Sequence, residues 1–247
     1  MYPIPRLRMF AGPNGSGKST LNAVINPSLL GVYVNPDEIE KQIRESGDFL
    51  DLSRYGVRTT EKEILDFFMN SRLLEKMDLL DEASELRFSD DKLCFFAVLV
   101  NAYFASVAAD FIRQQLLKSA TPFSFETVMS SSDKVDFLQA AQQRGFRTYL
   151  YYIATEDPVI NISRVCHRVK MGGHPVPEDK IISRYYRSLD LLFDAVRYSH
   201  RAYIFDNSGS APLWLAEVTE GKALAMKVDT VPQWFKLSFW DKFEAIK

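Results

Sequence analysis

Nine consecutive residues near the start of the chain, Gly12-Pro13-Asn14-Gly15-Ser16-Gly17-Lys18-Ser19-Thr20, have the types and spacing that phosphate chemistry requires. Two glycines separated by four residues and followed by Lys and Ser/Thr form the Walker A pattern. The glycines let the backbone curl into a nest whose N–H groups point at phosphate oxygens, and a helix starts there with its positive end toward the anion. Lys18 is expected to reach the β- and γ-phosphates of a nucleotide, and the Ser19 hydroxyl to complete the coordination shell of Mg²⁺. An apolar strand precedes the loop and a short helix follows it, which is the context a true phosphate loop needs. ATP is favoured over GTP, because no Asn-Lys-x-Asp guanine-reading motif is present.

Phosphate loops serve motors, switches and kinases alike. The Leu-Ser-Gly-Gly-Gln signature of transporter ATPases is missing, and the best candidate for a strand ending in Asp-Glu, Tyr203-Ile204-Phe205-Asp206, is followed by Asn207. No obvious glutamate is left to polarise an attacking water. A kinase needs a base near the γ-phosphate, cations over the transferring group and a lid that excludes water. Asp37, in Asn35-Pro36-Asp37-Glu38, lies just past the carboxyl end of the second expected strand, on the edge where open α/β sheets bind ligands. It can act as a base on a substrate hydroxyl or simply cap the helix that follows. Glu126 and Thr127 end the third strand on the same edge. Gly172-Gly173-His174-Pro175 joins two basic helices that carry Arg164, Arg168, Arg184 and Arg187, as a cationic lid would.

The elements that must hold these residues alternate. Short apolar runs at 7–11, 31–35, 123–125, 146–154 and 201–205 read as strands with helices between them, which implies an α/β fold with a parallel sheet covered by helices. From 41 to 118 the pattern turns helical, and from Asp37 to Asp91 there are 16 acidic residues against 8 basic. From Arg164 to Arg201 the balance reverses, with 8 basic against 4 acidic. Within 41–118, the uncharged run from Leu93 to Ala109 predicts a helix buried on all sides rather than a membrane span, since Asn101 and Ser106 interrupt it. Residues 212–247 predict a hairpin around Thr219-Glu220-Gly221-Lys222, then a helix opened by Pro232 with Phe235, Phe239 and Phe243 on one stripe. The whole reads as one domain, 1–247, with 41–118 as an insertion.

Taken in order, Gly-Pro-Asn-Gly-Ser-Gly-Lys-Ser-Thr, Asn-Pro-Asp-Glu-Ile, Phe-Glu-Thr-Val-Met-Ser, the Arg-Val-x-x-Arg-Val segment with Gly-Gly-His, and Phe-Asp-Asn-Ser resemble the zeta-toxin family of P-loop kinases. The resemblance covers about 7–40 and 123–209. It implies a nucleotide-kinase fold with the P-loop strand central in a five-stranded parallel sheet. It also implies transfer of the ATP γ-phosphate to a hydroxyl of a nucleotide sugar, UDP-N-acetylglucosamine being the family substrate. By motif, Lys18 and Ser19 hold phosphate and magnesium, Asp37 is the general base, and Glu126 and Thr127 contact substrate or the metal's waters. Asn207 joins residues 12–20 in the nucleotide set. Arg168 or Arg164 takes the first lid position, and Arg184 or His174 the second. Zeta toxins are typically restrained by a small helical antitoxin, so such a partner is implied as well.

Composition sets the outer limits. The 247 residues are 47% apolar and 13% aromatic, which excludes a disordered or fibrous chain. A formal charge of −2 gives no global attraction for nucleic acid or anionic membrane. Two cysteines, Cys94 and Cys166, make no disulfide framework, and with no signal-peptide run at the N-terminus the expected location is the cytoplasm. Two other functions stay open: a nucleotide-dependent regulatory module without phosphoryl transfer, and a polynucleotide 5′-hydroxyl kinase using Tyr149, Tyr151 and Tyr152 for base stacking. Asp37 argues against the first and the net charge against the second.

Overall fold

The computed structural model describes residues 4–245 except 24 and 174. Its strands are β1 (Arg6–Ala11), β2 (Val32–Val34), β3 (Phe49–Asp51), β4 (Arg87–Ser89), β5 (Lys92–Cys94), β6 (Phe123–Thr127), β7 (Arg147–Ala154), β8 (Arg201–Asp206), β9 (Leu213–Thr219) and β10 (Ala223–Met226). The chain divides into two compact units. One comprises Met1–Leu30 with Ser124–Lys247, the other Gly31–Phe123.

In the first unit the strands are ordered β10-β9-β8-β7-β1-β6. β1 pairs parallel with β7, Phe10 opposite Tyr151, and β7 pairs parallel with β8, Tyr151 opposite Tyr203. The hairpin expected within 212–247 is present and extends the sheet: β9 pairs antiparallel with β8, and β10 with β9. This satisfies the row of backbone donors and acceptors that β8 would otherwise present as an edge. One face of these strands is closed to solvent, with Leu150, Tyr152, Ala154, Ala202, Ile204, Ala216 and Val218 all fully buried. Helices cover it. The Tyr152 hydroxyl meets Ser188 Oγ (3.1 Å) on the Glu178–Asp190 helix, and the Tyr152 ring lies 6.2 Å from Trp234. The helix after Pro232 runs through a π-turn at Lys236–Trp240, and Phe235, Phe239 and Phe243 are buried as the spacing predicts.

The second unit contains a three-stranded antiparallel sheet, β3-β5-β4, within the stretch read from sequence as mostly helical. The run from Leu93 to Ala109 is not one helix. Leu93 and Cys94 belong to β5, Phe96 and Leu99 are 73% and 84% exposed, and the helix begins only at Ala102. Asn101 is the cause: its side chain accepts hydrogen bonds from Tyr103 N (2.9 Å) and Phe104 N (3.3 Å), so the residue that seemed to interrupt the helix starts it. The ends of the unit meet, with Val32 N donating to Pro122 O (3.1 Å). Among the described residues no helix is long and apolar enough to cross a membrane.

Candidate nucleotide site

The loop between β1 and the helix Lys18–Ala23 is held in shape by its glycines and by two asparagines from distant parts of the chain. Gly12, Gly15 and Gly17 all have positive φ, at 148°, 75° and 102°. A Cβ on Gly12 would lie 2.0 Å from Ile153 O at the end of β7. One on Gly15 would lie 2.6 Å from Asn161 O, and one on Gly17 2.3 Å from Asn207 Nδ2. The loop therefore presses directly against β7, the Pro158–Lys170 helix and the turn after β8, and only glycine fits.

The two asparagines then fix the loop carbonyls. Asn161 Nδ2 donates to Asn14 O (2.5 Å), and Asn207 Nδ2 donates to Ser16 O (2.7 Å) while its own backbone N–H bonds Ala154 O (2.8 Å). Asn161 is fully buried, and its Oδ1 accepts from the Thr155 hydroxyl. Thr155 O in turn accepts from the Tyr185 hydroxyl (2.6 Å). One buried chain of hydrogen bonds thus links the Glu178–Asp190 helix, the end of β7, the Pro158–Lys170 helix and the phosphate loop. Burial pushes the Tyr185 phenol far above its ordinary value, so it remains a donor. Asn207 was expected from its motif, and its side chain holds the loop. Asn161, Thr155 and Tyr185 have no sequence signal of their own.

Lys18 curls back to donate to Gly12 O (2.8 Å) and Pro13 O (2.9 Å), a position from which a phosphate oxygen can compete for its ammonium. Ser19 Oγ lies 3.2 Å from Glu126 Oε2, so the expected magnesium hydroxyl and the carboxylate at the end of β6 share one place. Thr127 is committed locally: its Oγ1 accepts from Met129 N (3.0 Å), and its carbonyl accepts from Gly12 N (3.3 Å). Among the described residues, Ser16 Oγ, Asn14 Oδ1 and one guanidinium nitrogen of Arg164 are buried without a hydrogen-bond partner. A glycine cradle with two unspent donors fits an anionic phosphate chain.

Asn161, Arg164 and Arg168 follow one another at helical spacing on one face of Pro158–Lys170. Arg164 donates to Gly209 O (3.3 Å), two residues past Asn207. Arg168 is exposed, and Gly173 packs on its stem, where a Cβ would lie 2.7 Å from Arg168 Cγ. Arg184 is half-buried on the next helix. His174 lies outside the described residues. Asp37 belongs to the second unit, where the capping reading fails: Asn35 Oδ1 accepts from Asp37 N (2.9 Å), so Asn35 caps the Pro36–Glu45 helix and the exposed Asp37 carboxylate does not. Base stacking on Tyr151 and Tyr152 of β7 fails too. Tyr152 is buried, and the two faces of Tyr151 are covered by Phe10 and Tyr203, each with centroids 5.0 Å away.

A glycine-rich loop clasped between the central strand and its neighbours in a largely parallel sheet decides the class of fold. This is a P-loop α/β fold. No family model matches the chain. Over 69 residues it is 33% identical to an uncharacterized protein of Haemophilus influenzae, a match covering 28% of this chain and 49% of that one. Among solved structures, the AvrRxo1-ORF1:AvrRxo1-ORF2 complex with sulphate ions aligns with a TM-score of 0.54 at 14% identity, over 92% of this chain and 62% of that chain. The same complex with ATP aligns with a TM-score of 0.50 at 14% identity, over 90% and 60%. The P-loop chain thus spans about half of the curated relative it matches and about three-fifths of the AvrRxo1 chain.

Proposed function

We propose that this chain is an ATP-dependent phosphotransferase that moves the γ-phosphoryl group to a hydroxyl of a small nucleotide-like substrate. The observation that carries the reading is the clasped loop with Lys18 at its mouth and Ser19 3.2 Å from Glu126. A loop shaped by three positive-φ glycines and two buried asparagines is organised before any ligand arrives, and preorganised donors are the main source of catalysis in phosphoryl transfer. The AvrRxo1 structure with ATP supports the choice of nucleotide.

Residues 12–20 bind the phosphate chain, and Lys18 swings from the Gly12 and Pro13 carbonyls onto the β- and γ-oxygens. Ser19 would hold a Mg²⁺ ion, which would supply neutralisation of the charge on the transferring group. Glu126 orients the Ser19 hydroxyl and the waters beside it. Arg164 and Arg168 reach across the phosphates, with Arg184 behind them. Asp37 accepts the proton of the substrate hydroxyl, a role that rests on its motif and on its freedom from capping. A UDP-amino sugar as substrate and a small antitoxin as partner follow from the zeta-toxin resemblance.

Mass spectrometry of the protein with Mg-ATP and a panel of nucleotide sugars, nucleosides, dinucleotides and RNA ends tests the proposal. The expected result is one panel member heavier by one phosphoryl group with the parent and not with Lys18→Ala. Equal turnover by parent and Lys18→Ala overturns it, as does ATP binding with no phosphorylated product from any acceptor.

A further inference from the structure

The turn after β8 makes two contacts to the nucleotide site. Asn207 Nδ2 grips Ser16 O (2.7 Å), and Gly209 O holds the Arg164 guanidinium (3.3 Å). Ser208 is half-buried and Gly209 exposed, so packing alone does little to fix this stretch. Hydrogen bonds to one carboxylate fix it. Asp206 Oδ2 accepts from Ser208 N (3.0 Å), and Asp206 Oδ1 accepts from the Ser208 hydroxyl (2.8 Å), which closes an Asx-turn. Ser208 Oγ in turn accepts from Glu156 N (2.8 Å), tying the turn after β8 to the turn after β7. The carboxylate that ends β8 is thus spent inside the fold.

Asp206 has a third donor, from farther along the chain. The Trp234 indole N–H donates to Oδ1 (2.8 Å), across 28 positions. Trp234 is 4% exposed, its ring 6.2 Å from Tyr152 and edge-on to Phe235 at 5.9 Å. Phe235, Phe239 and Phe243 seat the same helical segment, 233–244, in the core. The N–H therefore arrives from a fixed position. The two Ser208 bonds are local to the turn and follow the carboxylate as it rotates, whereas the indole bond ties that carboxylate to the core. A hydrogen bond to an ionised acceptor is roughly twice as strong as a neutral one, so the tie is firm.

We infer that Trp234 and Asp206 are positioning residues for the nucleotide site. The indole sets the Asp206 carboxylate, the carboxylate sets the turn through Ser208, and the turn presents Asn207 to the phosphate loop and Gly209 to Arg164. The C-terminal helical segment, whose spacing suggests only packing, thereby takes part in nucleotide affinity. The inference rests on the reading of residues 12–20 as an ATP site.

Calorimetric ATP titration of the full chain tests it, on the parent, Trp234→Phe, Asp206→Ala and the double variant. Trp234→Phe keeps a buried aromatic ring and deletes the N–H. Either single substitution is expected to weaken ATP binding by about fivefold or more. The double variant should bind like the weaker single one, because both act through one bond. Phe239→Leu is the control: it loosens the same segment away from Asp206, and should lower the melting temperature with ATP affinity unchanged. If Trp234→Phe does not fold, Ser208→Ala reads the same turn by removing the hydroxyl between Asp206 and Glu156, and should weaken ATP binding likewise. Parent-like affinity in Trp234→Phe, or in Ser208→Ala where it stands in, overturns the inference. So does an equal loss in Phe239→Leu or a further loss in the double variant. A parent that binds no ATP overturns the nucleotide reading as well, whereas a parent that binds ATP beside variants that bind equally overturns this inference alone.

Discussion

Asn161→Ala is the substitution whose effect can best be worked out from the geometry. The amide donates to Asn14 O at 2.5 Å and accepts from the Thr155 hydroxyl, which keeps a second acceptor in Asp157 O (3.3 Å). The loss therefore falls on the loop carbonyl. A stranded, partly buried acceptor and the lost packing of a fully buried side chain together cost about 2–4 kcal/mol. For a chain of this size that lowers the melting temperature by roughly 4–16 °C. Nucleotide affinity falls as well, because re-ordering even one loop residue costs about 1–2 kcal/mol, or roughly tenfold in Kd. Ser188→Ala is the control, since Ser188 is just as buried but bonds Tyr152 away from the loop. It should lose stability without losing ATP. Differential scanning fluorimetry beside a calorimetric ATP titration separates the two. Parent-like ATP affinity in Asn161→Ala would refute the clasp.

Asp37→Asn should leave the melting temperature unchanged, because Asn35 is the cap, while single-turnover phosphoryl transfer falls by about 10²–10⁴-fold; normal transfer removes Asp37 from the mechanism. Among the lid arginines, Arg164→Ala and Arg168→Ala should each lower turnover more than Arg184→Ala, as they share the helix face of Asn161; steady-state kinetics decides. Glu63 accepts from Lys118 and Gln115 and from the Thr59 hydroxyl, and the Lys118 bond above all holds its carboxyl down at about 2. Its folded value lies below its unfolded one, so its contribution to stability is present above the unfolded value of about 4.3 and is lost as the pH falls toward about 2. Glu63→Gln should lose less stability than the parent between pH 5 and pH 2.5, by a modest margin given its exposure, in thermal melts at the two pH values.

The glycine-rich turn after β1 and the chain order of the parallel strands were legible in the sequence because both are local: glycine spacing marks one and short apolar runs the other. The β7 strand, expected at 146–154, is found at Arg147–Ala154, and the three-phenylalanine stripe docks as its spacing predicts. What escaped is non-local. Nothing about Asn161 marks it as the residue that grips Asn14, since the contact joins positions 147 residues apart. The break before Ala102 was misread because an uncharged run favours a helix, whereas one asparagine side chain chose its first turn. β3, β4 and β5 are three residues each, too short for alternation to show.

The hydrogen bond between Val32 and Pro122 bears on how the chain reaches its folded state. β1 is synthesised first but must wait for β7, some 140 residues later, and the second unit lies between them. A disordered span of about ninety residues would oppose the meeting of its flanks by roughly 4 kcal/mol of closure entropy. Once the second unit has folded, its entry and exit points are a hydrogen bond apart, and that span acts as a short connection. Because its residues are contiguous, this unit can form while the first thirty residues are still unpaired, and once formed it would leave the flanking strands of the first unit joined by a short connection.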